Sequence, residues 1–227
     1  MPLNIFKIDL YTIDFQTGSL STYRLLLTMK LPHALESVVE ALQSLPGVGR
    51  KSAQRMVISL LKDGATSMSR LGSVLSEASQ KLCFCSLCGG FSDQKICSIC
   101  SDNKRDASLL LIVAEASNIL AIEKSDKYKG HYHALGGLIS PLKGIGPQHL
   151  RIKELEARLV DHTYQEIIVA TNPTVDGEAT ASWLLKTLKP MRLQVSRIAL
   201  GLPFGSDIEY ADELTLSQSI QGRTKFN

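Results

Sequence analysis

Apolar positions from residue 35 onward fall at helical spacing. Leu35, Val38, Val39 and Leu42 share one face, and after the short segment LPGVG a second set, Ala53, Met56, Val57, Leu60 and Leu61, repeats the pattern. The spacing predicts a helix, a short turn and a second helix. Gly64 stops the second, and a third amphipathic run through Met68, Leu71, Val74, Leu75 and Ala78 leads into a cysteine-rich stretch. Beyond the polar hinge SDNKRDAS the period changes. LLLIVA (109–114), YHAL (132–135), EIIVAT (166–171) and LQVSRIAL (193–200) read as buried strands separated by helical stretches, which implies a parallel α/β sheet. Residues 1–29 share no pattern with the rest: NIFKIDLYTIDF alternates weakly like a strand, and SLSTYRLLLTM runs into Met29.

The totals are those of an ordinary globular chain. At 227 residues, 44% hydrophobic and 21% charged, it is long enough to bury a core without disulfides, as one large domain or two to three small ones. The longest aliphatic stretches, around Leu25–Leu27 and Leu109–Val113, are too short to span a bilayer. The first also lacks the flanks of a signal peptide, so the expected location is the cytoplasm. Net charge is only +3, so any nucleic-acid binding has to come from local basic patches.

Four cysteines carry the sharpest chemistry. Cys85 and Cys88 (CSLC) and Cys97 and Cys100 (CSIC) form two pairs with eight residues between them, the spacing of two knuckles that face each other around a tetrahedral Zn2+. With sulfur at all four corners no coordination position is left for water or substrate, so the metal is structural. Two disulfides or unpaired buried thiols are the alternative; a reducing compartment and the pairwise spacing favour zinc. Cys83, the odd fifth, reads as a small buried or half-exposed thiol.

The turn LPGVGRKSAQRM has the makings of a phosphate site. Gly47 and Gly49 permit close backbone passage, amides at a helix start point at an anion, and Arg50, Lys51 and Arg55 cluster on the opening turns. Binding of this kind displaces counterions without reading bases. A plain turn between packed helices with solvated basic residues is the bland alternative. A nucleotide-binding P-loop is disfavoured, because Arg50 separates Gly49 from Lys51 and a helix precedes where that motif needs a strand.

At the strand ends of the α/β half, Glu115 follows LLLIVA and ATNPTVDGEAT follows EIIVA. The segment resembles the Toprim domain of topoisomerases and primases, whose metal-binding pair is Asp-x-Asp. Asn172 and Thr174 stand at those positions, and losing two carboxylates removes the charge that hard divalent cations depend on. Asp176 and Glu178 remain acidic and could hold a metal weakly, but on the opening turn of a helix dipole complementarity is the favoured account of them.

Taken in order, LPGVGRKSAQRM, the four cysteines, Glu115, ALGGLISPLKGIGP, ATNPTVDGEATA and RIALGLPFGSDIEYADELTLSQSIQGR resemble the RecR family of bacterial recombination mediators over about residues 31–225. The resemblance implies an α/β chain with a helix-hairpin-helix region (30–82), a four-cysteine zinc finger (83–105), a Toprim-like parallel domain (106–200) and a C-terminal segment (201–227). It implies no established catalysis. It further implies DNA binding, single- and double-stranded and sequence-tolerant, with the family's basic contacts falling on Lys51 and Arg55; Gly47, Gly49 and Arg50 of the turn complete the expected DNA site. Subunits of the family form a ring-like clamp, here expected as a tetramer, that works with RecO and RecF to load recombinase on gapped DNA. Glu115, Asp176 and Glu178 match the acidic Toprim surface where RecO docks; the family more often has Glu at the position of Asp176. Residues 1–29 look like an extension or a misassigned start, with Met29 the expected initiator and residues 1–28 dispensable.

Two rival functions carry their own discriminating features. A metal-dependent Toprim nuclease or primase would use Glu115, Asp176 and Glu178, and a protein scaffold would keep the glycine turn for structure alone. His131, His133 and His149 read as histidines that satisfy local hydrogen bonds, and Trp183 as core packing. GLISPLKGIGP is either a docking loop or a connector.

Overall fold

A computed structural model describes residues 32–161, 164–191 and 193–224. The strand-like reading of NIFKIDLYTIDF, the Met29 start and the dispensability of residues 1–28 lie outside them. The described chain divides into two compact units, with the boundary between Leu75 and Ser76.

The described part of the first unit is helical. Helix α1 (His33–Gln43) and helix α2 (Arg50–Lys62) pack through Val39, Ala53 and Val57, all buried, with Leu35, Val38, Leu42, Val48 and Met68 around them. These are the positions at helical spacing in the sequence. Gly47 turns the chain with φ +78°, a conformation that costs a side-chain-bearing residue about 1 to 2 kcal/mol. Helix α3 (Ala65–Lys81) starts after Gly64, also at positive φ, and carries the chain into the second unit.

The second unit opens with the cysteine lobe: strands β1 (Cys83–Phe84) and β2 (Phe91–Ser92) pair antiparallel, and the short helix α4 (Ser98–Ser101) follows. Four strands then form a parallel sheet in the order β4-β3-β5-β6, with β3 Asp106–Val113, β4 Gly130–Ala134, β5 Glu166–Ala170 and β6 Gln194–Arg197. Three helices lie between strands: α5 (Ala116–Glu123), α6 (Ile152–Asp161) and α7 (Val175–Leu188). Helix α8 (Glu213–Gln221) closes the described chain.

Strand alternation divides the core in two. Leu110, Ile112, Ile167 and Val169 pack with Leu155 of α6 and Leu184 and Leu188 of α7. Leu111, Val113, Tyr132 and Ala134 meet Ile119 of α5 and the cysteine lobe. Each buried aliphatic side chain stabilises by about 1.5 to 3 kcal/mol, so both layers are needed to hold the sheet.

Three boundaries differ from expectation, one of them the start of β4 at Gly130, two residues before YHAL. The segment SDNKRDAS is not wholly a hinge: β3 already starts at Asp106, paired with Gly130 across a register shift, and the polarity reflects exposure of Asp106 and Ala107. The last strand is four residues rather than LQVSRIAL entire, since pairing with β5 runs from Gln194 to Arg197. The loop GLISPLKGIGP is built rather than loose. Ser140 bridges Ile145 around a 3-10 turn, Pro141–Lys143, with Leu142 at 99% exposure.

Candidate zinc centre, hairpin turn and Toprim strand ends

The cysteine lobe brings the four sulfurs together, each within 4.8 Å of the others. Cys88 Sγ lies 3.6 Å from Cys97 Sγ, against a tetrahedron edge of about 3.8 Å for Zn–S bonds of ~2.3 Å. Two knuckle amides already donate to sulfur: Gly90 N–H to Cys88 and Cys97 N–H to Cys85, both at 3.3 Å. Such bonds favour thiolates over thiols. The hydrogen bond from Cys100, against burial, brings the Cys88 thiol down to about 5; burial first, then the neighbouring thiolates, pushes Cys97 up to about 11, and Cys100 rises too as the hydrogen-bond partner of Cys88. Metal-free, the quartet therefore cannot ionise throughout. A dication removes that conflict, and the donor set is that of structural zinc. Cys83 is exposed rather than buried or half-exposed, its Sγ 3.3 Å from the Gln94 carbonyl.

The cysteine lobe also closes one edge of the sheet. The Ala134 N–H of edge strand β4 donates to the Cys88 carbonyl at 2.7 Å. Two outward carbonyls of the same strand, Gly130 and Tyr132, accept from Arg105 Nη1 (2.8 Å) and Arg158 Nη1 (2.6 Å). Arg151 ties lobe to sheet from another side, donating from Nη2 to the Ser86 carbonyl at 3.1 Å.

In the hairpin, Gly49 is the N-cap of α2 with φ −81° and ψ 164°, and no side chain caps the helix. The first-turn amides of α2 are thus left for an outside acceptor. A Cβ at Gly47 or Gly49 would meet no chain atom within 4 Å, so any close passage the glycines allow is by another molecule. Lys51 and Arg55, one helical turn apart, are both exposed. Arg50 differs: its guanidinium pairs with Glu36 of α1 at 2.6 Å, bracing the two helices.

Parallel pairing aligns the carboxyl ends of β3, β5 and β6, with Val113 opposite Ala170 and Val169 opposite Arg197. Glu115 is the N-cap of α5, its amide donating to Asn118 Oδ1 at 2.8 Å. Thr174 caps α7, its hydroxyl accepting from the Gly177 amide at 3.2 Å. Gly177 is required there, because a Cβ would stand 1.9 Å from the Asn172 carbonyl oxygen. Glu178 lies in the first turn of α7, where an acid complements the helix dipole, and it gains a further partner: both its oxygens accept from the Arg197 guanidinium, which holds its carboxyl below the usual range. Asp176 stays in the first turn of α7, half-buried, with its backbone carbonyl accepting from Thr180.

Sequence reasoning misses four arginines, Arg105, Arg151, Arg158 and Arg197. Arg197 is hidden within an apolar strand, although a cation at a strand end facing an acidic helix start is a readable signal. Arg151 and Arg158 give none, since their roles depend on carbonyls far away in the chain. Among the histidines, His133 Nε2 lies 2.9 Å from the Arg151 carbonyl and His149 Nδ1 accepts from the Gly146 amide. Trp183 is partly buried against the core.

Family models match most of the described chain. The family model for the RecR helix-hairpin-helix matches residues 35–79, that for the RecR four-cysteine zinc finger domain 82–102, that for the Toprim domain 108–199 and that for the RecR C-terminal segment 201–224. The Recombination protein RecR of Moorella thermoacetica is 49% identical over 195 residues, 86% of this chain and 98% of the relative. Those of Streptomyces avermitilis and Leifsonia xyli subsp. xyli are each 47% identical over 189 residues, 83% of this chain and 95% and 96% of the relatives. Matched over four successive modules, with its zinc quartet in place, the chain belongs to the RecR family of recombination proteins.

Proposed function

We propose that the chain is a non-enzymatic DNA-binding clamp subunit of recombinational repair, acting in the cytoplasm as a ring-shaped tetramer with RecO and RecF to help load recombinase on gapped DNA. The observation that carries the DNA part is the hairpin turn: an uncapped helix start, two glycines in open space, and Lys51 and Arg55 exposed beside them. Those groups neutralise phosphate without reading bases. Several hairpins on one ring would act at high effective concentration, which a subunit of net charge +3 needs for a firm grip. Arg50 contributes by fixing the geometry of the turn through Glu36.

The acidic positions Glu115, Asp176 and Glu178 form the face proposed for RecO, with Glu178 held in place by Arg197. A Toprim nuclease or primase is disfavoured by Asn172 and Thr174, and the engagement of Thr174 and Glu178 in local bonds works in the same direction. No helix among the described residues is long and apolar enough to cross a membrane. The proposed modules run over 30–82, 83–105, 106–200 and 201–227.

Salt dependence tests the hairpin. Lys51→Ala should flatten the log-log dependence of DNA affinity on salt by about 0.7 to 0.9 for each phosphate it no longer neutralises. Equal slopes in variant and parent would remove the hairpin from the DNA site.

A further inference from the structure

A zinc ion bound by four thiolates carries two net negative charges. Here three of the sulfurs belong to buried residues, Cys85, Cys88 and Cys97. Buried charge is costly unless opposite charge stands close, so such a centre calls for cations in its surroundings.

Arg158 of α6 is a nearby cation without a carboxylate partner, its guanidinium 5.8 Å from the centroid of the Tyr164 ring. It is 7% exposed, yet its hydrogen-bond partners are neutral: Nε donates to the Tyr164 hydroxyl at 2.8 Å and Nη1 to the Tyr132 carbonyl at 2.6 Å. Arg105, Arg151 and Arg197 each have a carboxylate within 4 Å, whereas among the described residues Arg158 has none. A buried guanidinium without an anion is as anomalous as a buried dianion without a cation. The two anomalies adjoin, because Arg158 and the ligand Cys100 line one cavity of about 270 Å3.

We propose that Arg158 is the counter-charge of the zinc tetrathiolate, a positioning residue that stabilises the metal-loaded finger across this cavity without ligating it. An alternative use of the cavity, as a site for a small anion drawn by Arg105 and Arg158, which both line it, is opposed by Asp102, which lines it too, and by the negative centre at its wall. A second alternative is that Arg158 serves only to satisfy the Tyr132 carbonyl at the sheet edge.

Competition of the zinc-loaded full chain against a chromophoric chelator at fixed pH separates these. Arg158→Met should weaken zinc retention roughly tenfold or more, as loss of an outer-shell partner does, and Arg158→Lys, which keeps the charge but not both bonds, should stay near the parent. Tyr164→Phe, which removes a hydrogen-bond partner and leaves the charge, should also stay near the parent. Parent-like retention in Arg158→Met, or an equal loss in Lys and Met, would overturn the proposal. If the Met variant does not fold, the Lys and Phe variants decide: substantial loss of zinc in either assigns the role to hydrogen bonding. Protection of the parent, but not of Arg158→Met, by millimolar inorganic phosphate would assign the cavity to an anion and overturn it as well.

Discussion

His133 sits in the interior of β4 with no exposed surface, and its Nε2–H donates to the Arg151 carbonyl, which fixes the neutral tautomer. Burial first, with the nearby charges of Arg158 and Arg151 acting the same way, pushes its imidazole down to about 4, although the Arg151 carbonyl and Glu154 pull the other way. An unfolded chain takes up the proton near 6.5, so the unfolded state gains protons first as the solution is acidified. The stabilisation is complete above pH 6.5, drains away between 6.5 and about 4, and amounts to ~3 kcal/mol. Urea midpoints measured at pH 7 and pH 4.5 should therefore fall more steeply for the parent than for His133→Gln, with the zinc ligands common to both. At this scale the cysteine quartet is legible because ligand spacing is local. The Glu178–Arg197 pair is not: its members are nineteen residues apart and meet only once β6 lies beside β5.

Among the elements, the hairpin makes opposite demands on its two glycines. Gly47 needs its positive φ, so Gly47→Ala should lower the melting temperature, at a cost of about 1 to 2 kcal/mol. Gly49 has an ordinary extended conformation with nothing near its absent Cβ, so Gly49→Ala should lose less than Gly47→Ala, at most the ~1 kcal/mol by which alanine is the poorer N-cap. A methyl group beside the open amides should nevertheless weaken DNA binding, and fluorescence anisotropy alongside calorimetry would show the two effects apart. The helix-turn-helix is readable because each helix buries one apolar face, and the central strands because short continuous apolar runs bury both faces of the sheet. The start of β3 at Asp106 is hidden because a sheet margin tolerates polar residues. Arg105 and Arg158 escape notice for a related reason: they close the outer side of β4 by bonding to backbone carbonyls, and those acceptors leave no mark in sequence.

For the whole molecule, the zinc lobe does more than bind metal, since the Cys88 carbonyl accepts the Ala134 amide at the end of β4. Chelation should accordingly accelerate hydrogen exchange at Ala134 and its neighbours, while the helical core of Val39, Ala53 and Val57, in the other unit, keeps its protection. Uniform loss in both units would mean that they unfold together. Cys83 has a practical bearing on such measurements. It stands exposed two residues before the first ligand, while the other four thiols are committed to the ion. Maleimide should attach a single dye to each loaded chain and five to a stripped one, so that labelling stoichiometry becomes a direct readout of metal occupancy.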